Sequence, residues 1–212
     1  PLAAARLQVA GATVALQLRL RGGAGDDTYQ VDSVGDVVVE AAGGGTDTVY
    51  TAMEMALADH LENLRLTGIV ERGTGNAADN LLVGNAAANT LDGGTGADTF
   101  VFDTALNEVS NVDTVTDFVS ASDVFELHLD IFTTLQATGG KLNANNFVSG
   151  ASAVATTADE HIILDTTTGS LYYDADGVGG VAQVEFARLT GAHKPDPAKL
   201  LMAPSGVTLR MR

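Results

Sequence analysis

The chain repeats itself every nine residues between residues 75 and 101, and this period restricts its possible folds more than any other feature. The three blocks read GNAADNLLV, GNAAANTLD and GGTGADTFV. Each block begins with glycine, carries Asn or Asp at the sixth place and has a large apolar residue at the eighth place, namely Leu82, Leu91 or Phe100. A fixed, short period predicts stacked units that bury one continuous apolar core.

Short strand-like runs separated by Gly, Asn and Asp extend this rhythm along the chain. Examples are DTYQVD, DVVVE, DTVYTA and NLRLTG, which precede the three blocks, and DTFVFD, which overlaps the last of them. Tight, similar turns at such short intervals are typical of a β-solenoid rather than of a sandwich. We therefore predict an all-β chain. Only MEMALADHLENL could be helical, and the sequence leaves its state open.

The block GGTGADTFV shows what one unit can do. Glycines within its first six residues, 93–98, let the backbone take left-handed conformations and aim carbonyl oxygens into one small space. The carboxylate of Asp98 joins these oxygens, and such a set is what Ca²⁺ prefers. Thr99, Phe100 and Val101 then form a strand whose central side chain points inward and whose two flanking side chains point outward.

Two nine-residue blocks make one full coil, so turns 18 residues apart should stack on the same side of the fold. The turn at 75–80 then lies under the turn at 93–98, and Asn80 is paired with Asp98 across one candidate site. The turn at 84–89 faces the other side and contains no carboxylate. We expect this turn to keep the fold by hydrogen bonding and to bind metal weakly.

A second complete block, GGAGDDTYQ, covers residues 22–30, with Asp27 at the sixth place and Tyr29 at the inward eighth place. The later GGGTDTV, which contains Asp47, is one residue short of the pattern and is expected to have degraded ligands. A single Gly-Asp pair would be better explained as an ordinary hairpin turn. Several copies at a nine-residue period favour the repeat fold instead.

The blocks GGAGDDTYQ and GGTGADTFV resemble the RTX family of calcium-binding bacterial proteins. DTVTDFVSASDVFEL and GSLYYDADGVGGVAQVEFARLTG are similar to the region that follows the repeats in serralysin-type and related proteins, so the resemblance covers residues 22–192. It implies a right-handed parallel β-roll that folds on calcium, closed by a β-rich C-terminal cap. It also implies export by type I secretion machinery, an extracellular location and an upstream effector domain missing from this chain.

The chain accordingly divides into a degenerate N-terminal segment (1–21), a β-roll (22–103), a C-terminal cap (104–192) and a tail (193–212). The tail is predicted to be loose because it has little periodicity and three of the four prolines, and its basic end departs from the apolar, acidic secretion signal expected by resemblance. Candidate metal-binding residues are Gly22, Ala24, Asp27, Asn80, Gly93, Thr95, Asp98 and Asp113. By the resemblance the acidic stretch with Asp113, Asp117 and Asp123 lies beside the last turn of the roll, and Asp113 is preferred over the other two as the residue that completes or caps a calcium site; the alternative is solvent-facing strand residues.

The composition fits a cation-binding chain and excludes several other classes. The 27 acidic residues outnumber the 11 basic ones and give a formal net charge of −16, which argues against nucleic-acid binding. Such a charge destabilises a compact state unless cations neutralise it. The chain has no cysteine, so disulfides, zinc thiolates and a cysteine nucleophile are excluded. No apolar run is long enough for a transmembrane helix.

No catalytic residue is predicted. The four histidines lie outside any HExxH motif, and GxSxG and P-loop motifs are absent. Residues 174–185 match part of an EF-hand spacing, but Val178 occupies a ligand place and predicted strands flank the segment, so a hairpin tip is favoured. We therefore expect a calcium-binding module rather than an enzyme. A structural or adhesive solenoid, and an accessory module of a polysaccharide-modifying enzyme or protease, remain open alternatives.

Overall fold

The computed structural model describes residues 18–190 and 195–204, and this part of the chain is all-β. It contains nineteen strands and two short 3₁₀-helices, Ala144–Asn146 and Pro197–Lys199. The segment MEMALADHLENL, whose state the sequence left open, forms strand and turn rather than α-helix. Over the described ranges, no helix has the length and apolar character needed to cross a membrane.

Two large sheets contain almost all of the strands. In spatial order, the nine-stranded sheet contains β13 (Ala137–Thr138), β14 (Lys141–Leu142), β19 (Leu200–Ala203), β12 (Val124–His128), β10 (Thr99–Phe102), β8 (Leu81–Val83), β6 (Asn63–Leu66), β4 (Thr48–Thr51) and β2 (Thr28–Val31). The eight-stranded sheet contains β15 (Phe147–Gly150), β16 (Ile162–Asp165), β17 (Ser170–Tyr173), β18 (Val184–Leu189), β11 (Asp113–Val115), β9 (Thr90–Gly94), β7 (Arg72–Asn76) and β5 (Met55–Ala56). Two short strands, β1 (Arg19–Leu20) and β3 (Val37–Val38), pair with each other.

From β4 to β12 the chain alternates strictly between the two large sheets, and neighbouring strands within each sheet run parallel. Leu81 pairs with Thr99 in one sheet, and Arg72 pairs with Thr90 in the other, which is an offset of 18 residues in both cases. The predicted stacking of alternate nine-residue blocks is therefore confirmed. A two-residue side-chain period within each short strand then places one apolar residue per block in the core.

The core lies between the two sheets. The four side chains predicted to point inward, Tyr29, Leu82, Leu91 and Phe100, are all buried. Farther along, aromatic rings take over from the aliphatic residues, and the ring of Phe102 in β10 contacts that of Phe186 in β18 at a centroid distance of 5.2 Å. Edge-to-face ring contacts of this kind add packing energy to the apolar area that they bury.

Val101, predicted to point outward beside Phe100, is nevertheless only 2% exposed. Val83, its partner in β8, is fully buried as well. Arg65 in β6 pairs with Val83 and forms an ion pair of 2.5 Å with Asp103, just after β10. Because this side chain reaches across an intervening strand, its aliphatic part shields the outer face of the sheet there.

The prediction of a loose tail is wrong for residues 195–204. The side chain of Asp196 caps the 3₁₀-helix Pro197–Lys199 by accepting a hydrogen bond from the backbone N–H of Ala198. β19 then enters the nine-stranded sheet parallel to β12, with Leu200 opposite Phe125 and fully buried. The basic end of the chain and most of the predicted N-terminal segment lie outside the described residues.

EHIILD and SLYYDAD form a hairpin across TTTG, because β16 and β17 pair antiparallel and Gly169 adopts a left-handed conformation in the turn (φ 77°). The segment with partial EF-hand spacing joins β17 to β18, which also pair antiparallel. It is therefore a hairpin connection, as favoured from the sequence.

Candidate cation-binding site

The turns that lead into the nine-stranded sheet stack in one row, which we call the first edge. Its turns lie at residues 22–27, 42–47, 58–62, 76–80, 94–98 and 117–123. The second edge is the row of turns that lead into β5, β7, β9 and β11 of the eight-stranded sheet, at residues 52–54, 67–71, 84–89 and 103–112. Stacking of parallel strands thus brings residues that are far apart in sequence into one line on each edge.

A column of acidic and amide side chains runs along the first edge, one from the end of each turn. Its members are Asp27, Asp47, Glu62, Asn80, Asp98 and Asp123. We call the space between two adjacent turns of one edge a gap, so the six members define five gaps. In four of them, the carboxylate of one member accepts a hydrogen bond from the backbone N–H of the preceding member, over 2.8, 2.8, 2.8 and 3.1 Å. The sixth place of the block therefore ties each turn to its neighbour.

Glycine at the first place of a block makes room for the sixth-place side chain. A Cβ atom added to Gly22 would lie 2.0 Å from Oδ2 of Asp27, and one added to Gly93 would lie 2.4 Å from Oδ2 of Asp98. Any other residue would collide with the carboxylate at these distances. The spacing of glycine and aspartate in the motif thus allows the acidic side chain to fold back over the start of its own turn.

Asp27 and Asp47 form the N-terminal group of carboxylates. Oδ2 of each is buried and has no hydrogen-bond partner, and Asp47 as a whole is fully buried. Burial raises the pKa of Asp47, and the negative charges of Glu40 and Glu62 raise it further. A buried, unpartnered carboxylate oxygen carries a large desolvation cost, so these two atoms fit a site that a cation completes.

Asp47 was expected to lie in a turn with degraded ligands, yet the structure places it directly beside Asp27. Thr28 pairs with Thr48, so this coil contains 20 residues rather than 18 and still restores the register. The backbone N–H of Gly25 also donates to the carbonyl of Gly44 over 2.5 Å, which holds the two turns together. Leu20 still pairs with Val38 at an offset of 18, so the two extra residues lie between Val38 and Thr48 and leave the acidic end of the turn in place.

Asp98, Asp117 and Asp123 form the C-terminal group of carboxylates. Asp117 accepts hydrogen bonds from the backbone N–H groups of Gly93 and Gly94, over 2.9 and 2.6 Å. Burial raises the pKa of Asp98 to about 6, and the neighbouring charges of Asp123 and Asp117 contribute to the increase. From the sequence Asp113 was preferred over Asp117 and Asp123, because all three follow the last nine-residue block; the fold instead brings Asp117 and Asp123 to the turn at 93–98.

The side chains of Asn80 and Asp113 do not join Asp98 at the site that the sequence suggested, because each forms its hydrogen bonds at a different gap. The backbone N–H of Asn80 does donate to Asp98, but its side-chain amide donates to the carbonyls of Leu61 and Glu62 in the preceding turn. Asp113 lies on the second edge, where it accepts a hydrogen bond of 2.9 Å from the backbone N–H of Asn89. The turn at 84–89, which has no carboxylate of its own, thus receives one from β11.

Of the remaining predicted ligands, Gly22, Ala24 and Gly93 could contribute only backbone oxygens, and Thr95 could contribute its carbonyl or its hydroxyl oxygen. Ala24 and Thr95 are exposed, and the backbone N–H of Thr95 donates to the carbonyl of Asn76 over 3.1 Å. Across the described part of the chain, no three His, Asp or Glu side chains converge closely enough to hold a metal by themselves. An ion on the first edge would therefore need carbonyl oxygens of the turns in addition to the carboxylates.

Basic side chains do not neutralise either group. Among residues 18–190 and 195–204, the ion pairs are Arg65–Asp103, His128–Glu126 and Arg188–Glu185, none of which involves the first-edge column. Lys199 approaches the turn at 117–123 but donates to the carbonyl oxygen of Ala121 over 2.9 Å. The column carboxylates thus accept hydrogen bonds from backbone N–H groups and, at Asp123, from the hydroxyl of Ser122, and no basic side chain of the described residues pairs with them.

Part of this chain is similar to two bacterial glycanases. Over 61 residues it is 44% identical to endo-1,3-1,4-beta-glycanase ExsH and 39% identical to endo-1,3-1,4-beta-glycanase EglC, both from Rhizobium meliloti (strain 1021). The match covers 29% of this chain but only 13% of each glycanase. No protein-family profile matches the chain. The similarity therefore relates a segment of this chain to a small part of each of two glycan-acting proteins.

The raised carboxylate pKa values predict that the cation-free chain becomes more stable as the pH falls from about 8 to about 5. Burial raises the pKa of Asp113 to about 7 and that of Asp98 to about 6, from an ordinary value of 3.8. Between 3.8 and these values the folded state binds more protons than the unfolded state, so protonation favours folding. Thermal unfolding followed by circular dichroism after removal of divalent ions measures this effect. A melting temperature that falls over the same interval would contradict it.

Proposed function

We propose that the chain is a calcium-binding module of the RTX type, a parallel β-roll with a β-rich cap that folds on Ca²⁺ outside the cell. The observation that carries this proposal is that Asp27 and Asp47, which the hydrogen bond from the Asp27 N–H to Asp47 joins across adjacent turns, each have a buried Oδ2 atom without a hydrogen-bond partner. Two such atoms at one gap between turns have no counter-charge in the described protein. A bound divalent cation supplies that charge.

The chemistry of the donors favours Ca²⁺ over other ions. Calcium takes six to eight oxygen ligands in a flexible arrangement, whereas Mg²⁺ requires a near-ideal octahedron and zinc prefers nitrogen and sulfur. The first edge offers carboxylates from adjacent turns together with the carbonyl oxygens of Gly22 and Ala24 at one end and of Gly93 and Thr95 at the other. Such a mixture of carboxylate and carbonyl oxygens suits a large, hard cation.

Calcium binding should also contribute directly to folding. With a net charge of −16, the compact chain repels itself until cations reduce that charge. A site assembled from two or more turns does not exist in the unfolded chain, so its binding free energy stabilises the folded state. This coupling suits a protein that is exported by type I machinery before its folding is complete and that completes its fold in extracellular calcium.

The glycanase similarity favours one role for the module within a longer protein. We infer that it is a non-catalytic accessory region of a secreted protein whose effector domain lies upstream and acts on a glycan. The support is the 61-residue match to two endo-1,3-1,4-beta-glycanases. Hydrolysis of a 1,3-1,4-β-glucan by this chain alone would overturn the non-catalytic role.

The experiment that tests calcium binding is a titration of the chelator-treated chain, followed by isothermal calorimetry and by far-ultraviolet circular dichroism. We expect saturable Ca²⁺ binding at millimolar or lower concentration, a gain of β-structure and a higher melting temperature, because binding and folding are coupled. Mg²⁺ at the same concentration and ionic strength is the control and should have a much smaller effect. Equal responses to both ions, or no heat of binding, would exclude a calcium site.

A further inference from the structure

Two turns in the middle of the repeat are closed by side-chain amides where the ends of the first edge have carboxylates. The turns are GNAADN at residues 75–80 and GNAAAN at residues 84–89. They lie on opposite edges, because one leads into β8 and the other into β9. Each uses its second-place and sixth-place asparagines in the same way, and we call this arrangement the amide clasp.

The clasp at 75–80 binds its turn both internally and to the preceding turn. Oδ1 of Asn80 accepts the backbone N–H of Asn76 over 2.7 Å, and Oδ1 of Asn76 accepts the backbone N–H of Ala78 over 2.8 Å. The two amide nitrogens face the preceding turn, where both donate to the carbonyl of Leu61, over 2.8 Å and 3.1 Å. Asn80 also donates to the carbonyl of Glu62 over 3.2 Å.

The clasp at 84–89 repeats the same bonds on the second edge. Oδ1 of Asn89 accepts the backbone N–H of Asn85 over 2.7 Å, and Oδ1 of Asn85 accepts the backbone N–H of Ala87 over 2.8 Å. Both amide nitrogens donate to the carbonyl of Val70 in the preceding turn, over 2.7 and 2.8 Å. Asn85 and Asn89 are both buried, so water competes little for these bonds.

The N–H group of a side-chain amide can stabilise a carbonyl oxygen that would otherwise need a cation beside it. A carbonyl that faces the gap between two turns needs a positive partner, and the N–H of a neutral carboxamide provides one without adding charge. A carboxylate at the same place only accepts hydrogen bonds and repels the carbonyl. The amide-clasped gaps are therefore complete within the protein, whereas the gap between Asp27 and Asp47 leaves two oxygen atoms unpartnered.

From this contrast we propose that the coil at residues 61–92 folds without any cation and is the preformed centre on which cations order the two ends of the repeat. Three of its four strands place a nearly or fully buried leucine in the core, namely Leu64, Leu82 and Leu91, and the fourth strand has Gly73 at the inward position, against the side chains of Leu64 and Leu66. Its strand pairs join residues only 18 positions apart, so the loop-closure cost is small. The inference extends the proposed function, and it depends on calcium only for the behaviour of the ends.

Hydrogen–deuterium exchange of the whole chain, measured by mass spectrometry in chelator and in calcium, tests the proposal. In chelator, peptides from residues 72–92 should exchange much more slowly than peptides from residues 22–31 and 117–128, whose turns lack their cations. Calcium should then slow exchange at the ends. Exchange at the unfolded rate across residues 72–92 in chelator would overturn the proposal.

The double variant Asn80→Asp with Asn89→Asp isolates the role of the amide nitrogens, because aspartate keeps the accepting oxygen and removes the donor. In chelator, protection of residues 72–92 should fall at least ~10-fold, the effect of leaving buried carbonyl groups without donors. Asn145→Asp, at an exposed position, is the matched control and should leave exchange unchanged. Equal protection in the double variant and the control would contradict the clasp.

The outcomes also separate this proposal from the proposed function. Protection of the centre in chelator together with no calcium binding by calorimetry would leave the amide clasp intact and overturn the calcium module. Calcium binding together with complete loss of protection in chelator would support the calcium module and overturn the proposal of a preformed centre. The wild-type measurement decides the main point, so it does not depend on whether the double variant folds.

Discussion

Replacing Asp47 by asparagine should change the stability of the chain in opposite directions with and without calcium. Without calcium, the variant should be more stable than the wild type by about 1–3 kcal/mol, because a buried, unpartnered carboxylate oxygen is removed. Asp47 is fully buried and lies among the charges of Glu40, Glu62 and Asp27. With calcium, the same substitution removes a ligand, so affinity at this gap should fall on the order of 10–100-fold.

Urea unfolding in chelator and in saturating calcium measures both halves of this expectation, and calorimetry gives the change in affinity. Asp59→Asn is the matched control, since Asp59 lies on the first edge but is exposed. It removes the same formal charge and should change stability little in either condition. A variant at Asp47 that is destabilised in chelator would mean that the carboxylate is already satisfied within the protein and needs no cation.

The nine-residue period was enough to predict the part of the fold that depends on local spacing. It predicted parallel stacking at an offset of 18 residues and the burial of Leu82, Leu91 and Phe100, and both are confirmed. It also predicted that the turns at 75–80 and 93–98 lie together, as the hydrogen bond from the N–H of Asn80 to Asp98 shows. Local repetition carries this information because each unit meets only its immediate neighbours.

Features that depend on where the chain returns after a longer excursion could not be predicted in this way. Asp117 and Asp123 reach the first edge only after the ten-residue turn at 103–112, which interrupts the period. Asp113 goes to the second edge because β11 belongs to the eight-stranded sheet. A resemblance that places an acidic strand beside the last turn does not predict on which of the two edges each acidic side chain lies.

Asparagine at the sixth place also has a meaning that the sequence pattern concealed. Asn80 looked like a weaker version of Asp98 and therefore like a neutral metal ligand. In the fold, the side-chain amide of Asn80 donates hydrogen bonds to the carbonyls of Leu61 and Glu62 in the preceding turn. The carboxylate of Asp98, in the following turn, instead accepts a hydrogen bond from the backbone N–H of Asn80. Asn80 and Asp98 therefore have different roles, because an amide nitrogen donates hydrogen bonds and a carboxylate only accepts them. The similar shape of the two side chains at the sixth place hides this difference.

Leu200→Ala should be among the most damaging single substitutions, although it lies in a segment that the sequence suggested to be loose. Leu200 is fully buried, pairs with Phe125 across the parallel strands β19 and β12 and belongs to the main apolar core. Removing a buried leucine side chain leaves a cavity and costs about 2–5 kcal/mol. The free energy of urea unfolding in saturating calcium is the measurement, so that cation binding is the same in both proteins.

Leu201→Ala provides a control of equal size at the next position of the same strand. Leu201 pairs with Glu126, on the outer side of the sheet, and is only partly buried, so its loss should cost much less. A large difference between the two variants would show that β19 holds a fixed register, because a one-residue slip would exchange their environments. Equally small losses would mean that the strand is not part of the cooperative unit, and that the nine-stranded sheet is stable with β12 unpaired on that side.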